Sequence, residues 1–93
     1  MNNSIDTNPE ELFKFAKTID GFLTSMNHSL REIERTMYDV SQYWRGAQAN
    51  EFQNYVEDYK KDLRKQLGDL ENVKEKIVEQ GKVLKELRDR RLT

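Results

Sequence analysis

Tyr43-Trp44-Arg45-Gly46-Ala47-Gln48-Ala49 lies at the middle of the 93-residue chain and separates two stretches that share one apolar rhythm. Upstream, Leu12, Ala16, Ile19, Leu23, Met26, Leu30, Ile33, Met37, Val40 and Trp44 step alternately by four and three residues. That heptad stripe predicts a single long helix with one face turned to a neighbour. Downstream, Ala49, Phe52, Val56, Tyr59, Leu63, Gln66, Leu70, Val73, Ile77, Gln80, Leu84 and Leu87 step the same way, and only the two glutamines are polar. Gly46 interrupts the pattern. Glycine reaches left-handed backbone without strain, so Gly46 is read as the stop of the first helix.

The outer boundaries follow from capping chemistry. Residues 1–8 are polar and are expected to be flexible. Thr7 or Asn8 can cap the first helix, Pro9 suits its first position, and Glu10 and Glu11 oppose the positive end of its dipole. The expected layout is helix 1 over 9–43, a Trp-x-Gly turn over 44–46 and helix 2 over 47–90. A short turn between two long helices makes them antiparallel. The fold class is therefore all-α, one helical hairpin domain spanning 1–93. With the turn near residue 45, Pro9 falls opposite Gly81. Residues 82–93 are then an overhanging tail, with Val83, Leu84, Leu87 and Arg88 as a candidate docking strip.

The apolar face is wider than one seam needs. Phe13 and Phe15 flank Leu12, and Phe22 follows Phe15 by a heptad; Tyr55, Leu67, Val78 and Val83 lie off the stripe of helix 2. A broad face serves more than one neighbour. It predicts that two hairpins associate into a four-helix bundle, with Leu12, Phe13, Phe15, Ile19 and Phe22 at the dimer interface.

Composition narrows the function classes. There is no cysteine, which removes disulfides, thiolate metal sites and cysteine nucleophiles. The single histidine, His28, sits off the stripe without a second ligand at metal spacing. Sixteen basic and seventeen acidic residues give a net charge of −1, and the basic clusters Lys60-Lys61-Arg64-Lys65 and Arg88-Arg90-Arg91 are interleaved with acids. A nucleic-acid partner is not expected from such a surface. The acids read as helix-surface pairs such as Glu10–Lys14, Glu57–Lys61 and Glu86–Arg90. No catalytic, cofactor-binding or metal residues are assigned, and an enzyme is not expected. No apolar run reaches transmembrane length, and the first residues have neither a basic region nor an apolar core of a signal peptide.

Trp44 two residues before Gly46, at mid-chain, is unusual for a plain helical hairpin. It can cap the core at the closed end or present a binding surface, and spacing does not separate the two. Trp44-Arg45-Gly46, the opening Thr7-Asn8-Pro9-Glu10-Glu11-Leu12 and the two flanking stripes together resemble the WXG100 family of bacterial type VII secretion over nearly the whole chain. The resemblance implies hairpins that pair as homodimers or with a paralogue and leave the cytoplasm folded, without a cleaved signal peptide. It implies partners in the type VII secretion ATPase and, for some members, a larger co-secreted toxin. It also implies that Trp44 and Gly46 shape the turn and are read by the export apparatus. Many members or their partners carry Tyr-x-x-x-Asp/Glu after helix 2. Here no tyrosine lies beyond Tyr59, and Tyr59 leads to Leu63. The heptads alone are equally compatible with an intracellular structural coiled-coil module.

Overall fold

The structure, a computed structural model, describes residues 8–92. It contains two helices, α1 (Pro9–Ser41) and α2 (Ala47–Leu92), joined through residues 42–46. The all-α helical hairpin read from the sequence is the fold observed. The expected flexible stretch lies, apart from Asn8, outside the described residues, and so does Thr7 as an alternative cap.

Asn8 caps α1. Its Oδ1 accepts the Glu10 amide at 2.9 Å, and its carbonyl accepts the Glu11 amide at 3.0 Å. These bonds satisfy amides that have no partner within the helix. At the other end α1 stops at Ser41, two residues short of the expected boundary. The Gln42 and Tyr43 amides reach back to Asp39 and Val40 carbonyls at 3.1 and 3.0 Å, tightening the last turn. The Ser41 hydroxyl donates to the Tyr38 carbonyl at 2.6 Å, and the Gln42 amide side chain donates to the same oxygen at 3.3 Å.

The reading of Gly46 as the stop of helix 1 is corrected. The last carbonyls of α1 are already served by side chains and by residues 42–44. Gly46 instead opens α2: its carbonyl accepts the Asn50 amide at 3.0 Å. Its φ of 108° is a conformation that costs other residues, and no other described glycine has a positive φ. The turn thus needs a glycine where the reversed chain enters α2.

Packing divides the hairpin into two compact units, one joining Met1–Phe22 to Asp69–Thr93 and the other comprising Leu23–Gly68. In the first, Ala16 and Ile19 are buried along with Pro9 and Gly81, while Leu12, Phe13, Leu70, Ile77, Val78 and Leu84 are half-buried. In the second, Leu23, Leu30, Ala49 and Leu67 are buried, and Met26, Met37, Val40, Val56 and Leu63 are half-buried.

On α2 the inward residues are not all those expected. Ala49, Val56, Leu63, Leu70, Ile77 and Leu84 are the least exposed of the predicted stripe, but the alternate members Phe52, Tyr59, Gln66, Val73, Gln80 and Leu87 are exposed. Their places are taken by the next residue along: Gln53, Lys60 and Leu67 in the second unit, Lys74 and Gly81 in the first. Lys60 is 5% exposed, and Leu67, expected off the stripe, is 7% exposed. The helix is turned so that a mixed polar row faces α1 and a more apolar row faces outward.

Candidate interaction surface

Each unit has one side closed by ion pairs. In the first, Lys74 Nζ bonds Asp20 at 3.0 Å and Glu71 at 2.8 Å. Arg88 donates two bonds of 2.8 Å to the two oxygens of Glu10, the bidentate geometry that makes Arg–carboxylate pairs strong. In the second, buried Lys60 bonds Glu34 at 3.3 Å and Glu57 at 2.9 Å, and Arg64 also pairs with Glu34. Two expected pairs within a helix are thereby redirected. Glu10 pairs with Arg88, and Glu57 with Lys60, because both cations lie near the inter-helix seam; Glu86–Arg90 forms as expected at 3.5 Å.

These contacts set ionisation. The bonds from Arg88 hold the Glu10 carboxyl below its ordinary range. Arg64 first, and Lys60 second, do the same for Glu34. Glu71 and then Asp20 push Lys74 up to about 12.

The partners also fix which side of each unit is left open. On α1 of the first unit, Phe13 and Asp20 lie on one flank of the buried Ala16–Ile19 row, and Phe15 and Phe22 on the other. On α2, Lys74, Gly81 and Arg88 lie on one flank of the Leu70–Ile77–Leu84 row, and Val73 and Leu87 on the other. Asp20 meets Lys74, Glu10 meets Arg88, and the Phe13 ring covers Gly81. The two inner flanks therefore share a side, and Phe15, Phe22, Val73 and Leu87 line the opposite one, joined by Val83. All five are about half exposed. By the same reasoning the second unit carries Ile33 on α1 with Phe52, Tyr55 and Tyr59 on α2, all exposed, opposite its Glu34–Lys60 pair.

The residues expected at a dimer interface divide accordingly. Ile19 is used up in the hairpin's own core, and Leu12 and Phe13 are partly so. Phe15 and Phe22 remain about half exposed. The overhanging tail is corrected. Ion pairs join Glu10 to Arg88 and Asp20 to Lys74, so the helices meet several residues further along α2 than a turn centred on residue 45 implied. Leu84 and Arg88 thus belong to the hairpin, whereas Val83 and Leu87 are outward.

At the turn, the Trp44 amide donates to the Val40 carbonyl at 2.9 Å. The indole tilts 57° against the Phe52 ring with centroids 5.6 Å apart, and Trp44 stays 39% exposed. Tyr43 beside it is almost wholly exposed. Trp44 is therefore both a partial cap and an accessible surface. His28 is exposed, 3.9 Å from Glu32. Among the described residues no group of His, Cys, Asp and Glu could hold a metal, and no helix is long and apolar enough to cross a membrane.

Sequence reasoning missed the row Gln53–Lys60–Leu67–Lys74–Gly81. The available signal was the repeated Glu-x-x-Lys at Glu57–Lys60 and Glu71–Lys74, fourteen residues apart, matched by acids at Asp20 and Glu34 on the other helix.

The family model WXG100, described as proteins of 100 residues with WXG, matches residues 4–87. No curated protein and no solved structure matches the chain.

Proposed function

The chain belongs to the WXG100 family, and from that premise we propose that it is a substrate or co-secretion adaptor of a bacterial type VII secretion system that acts by helix–helix association. The observation that carries the reading is the open apolar side of each unit: Phe15, Phe22, Val73 and Leu87 in one, Ile33, Phe52 and Tyr59 in the other. Burying a large apolar side chain stabilises by about 1.5–3 kcal/mol. Several such residues on one side of a two-helix unit favour a second hairpin over water. The partner is a second copy or a WXG100 paralogue, and the product is a four-helix bundle. The bundle is made in the cytoplasm and exported without a signal peptide, engaging the secretion ATPase and, in the adaptor role, a larger co-secreted toxin.

Trp44 and Gly46 supply the recognition element in this reading. Gly46 holds the left-handed backbone that lets α2 begin, and Trp44 presents a part-exposed indole beside it. The test is an immunoblot of culture supernatant and cell pellet from the native host, with and without the type VII ATPase. The protein is expected in the supernatant only when the ATPase is present. Trp44→Ala is expected to stay folded and to remain in the pellet. Retention of the wild-type chain in the pellet of a secreting strain defeats the reading.

A further inference from the structure

We propose that the inter-helix ion pairs determine which row of α2 faces outward, and so act as specificity determinants of the surface offered to the partner. The inference rests on the association reading above. Residues adjacent in sequence point 100° apart on a helix. In the first unit α2 has two adjacent rows that could pack on α1 beside Leu70, Ile77 and Leu84. One is Lys74–Gly81–Arg88; the other is Val73–Gln80–Leu87. By apolarity the second should be buried. The structure turns the first toward α1: Gly81 is covered by the Phe13 ring, Lys74 is drawn in to only 18% side-chain exposure, and Arg88, though exposed, reaches Glu10, while Val73 and Leu87 are left out.

What separates the two settings is charge. Lys74 finds Asp20 on α1 and Glu71 on its own helix, and Arg88 finds both oxygens of Glu10. With α2 turned by one residue these cations point away from α1 and the acids lose their partners. The second unit repeats the arrangement with Lys60 between Glu34 and Glu57. A polar residue at a seam position gives up some stability and fixes a single packing. Here the fixed packing keeps the better apolar row free for a partner.

Phe13 and Gly81 supply a reporter that does not depend on association. In the present setting the ring lies against the Gly81 backbone, so nuclear Overhauser contacts between Phe13 ring protons and Gly81 Hα are expected in the full-length protein. Isotope editing restricts them to one chain. The variant Lys74→Gln/Arg88→Gln removes both cations without adding repulsion. Its Phe13–Gly81 contact is expected to be lost in favour of Phe13–Gln80, with helicity retained and the dimer fraction by light scattering reduced. A charge-swapped variant, Glu10→Arg/Asp20→Lys/Glu71→Lys/Lys74→Asp/Arg88→Glu, which also reverses the Glu71 partner of Lys74, is expected to restore both readouts. A Phe13–Gly81 contact that persists in the glutamine variant overturns the inference, and so does a swapped variant that is folded but lacks the contact. A wild-type protein that keeps the contact yet runs as a monomer with no paralogue bound overturns the association reading instead.

Discussion

Adding one methyl group at each of three helical glycines should give opposite signs, and the structure says which. Glycine inside a helix costs about 1 kcal/mol relative to alanine. At Gly21 and Gly68 a Cβ would meet nothing within 4 Å. Gly21→Ala and Gly68→Ala should therefore each stabilise by about 0.5–1 kcal/mol. At Gly81 an added Cβ would stand 2.7 Å from Phe13 Cε1 and 3.1 Å from Cδ1 and Cζ. The ring must move, and overfilling a packed site typically costs about 1–3 kcal/mol. Subtracting the propensity gain leaves Gly81→Ala about neutral to 2 kcal/mol destabilising. Phe13 is half-buried rather than locked, which keeps the value off the top of that range. The assay is urea or thermal unfolding followed by circular dichroism, at one protomer concentration because association contributes to apparent stability. For a domain of this size each kcal/mol moves the melting temperature by about 4–8 °C. Phe13→Leu should relieve the clash, so the double variant should lose less than the sum of its parts. A Gly81→Ala protein stabilised as much as Gly68→Ala would show that Phe13 does not rest on that backbone and would refute the packing described for the first unit.

Phe15→Asp and Phe22→Asp should lower the dimer fraction in light scattering after size exclusion while leaving the monomer helical, because both side chains are half exposed within the single chain and a charge buried at an interface is costly. Stability should be level at neutral pH and fall at both extremes. The lowered Glu10 and Glu34 carboxyls contribute above the ordinary 4.5 and lose that contribution as pH drops through their folded values. The raised Lys74 contributes below 10.5 and loses it as pH climbs through about 12. Urea midpoints across pH check this, and Glu10→Gln/Glu34→Gln should flatten the acid limb. Removing residues 82–93 should lower the melting temperature, since that cut takes half-buried Leu84 and the Arg88–Glu10 pair.

The two helices were legible because their signals are local and redundant. Asn8-Pro9-Glu10 marks a helix start by capping chemistry alone, and the stripe from Leu12 to Val40 leaves α1 a single inward face. The end of α1 comes two residues before the expected boundary because Ser41 and Gln42 both turn their side chains onto the Tyr38 carbonyl and the following amides serve Asp39 and Val40, an option that composition does not reveal. The break in the stripe marks Gly46 as the residue needing left-handed backbone without showing which helix that backbone serves. Its φ serves the entry to α2 rather than the exit from α1, and sequence alone cannot say on which side of a turn the reversal falls.

The larger miss, on α2, has a physical cause that bears on function. Apolar periodicity reports which residues leave water, not what covers them. In a monomeric helix the two coincide, and the most apolar row faces the core. A chain that is completed by a partner has two coverings, and the row with Phe52, Tyr59, Val73 and Leu87 carries the same signature whichever one buries it. The row that meets α1 is marked instead by complementarity. Lys60 and Lys74 look like surface residues until Glu34 and Asp20 are placed across from them. Reading such a hairpin therefore calls for two patterns at once, an apolar period for the faces and a matched charge period for the register. Where the two disagree about which row is inside, the charged row belongs to the hairpin and the apolar row stays open on its surface.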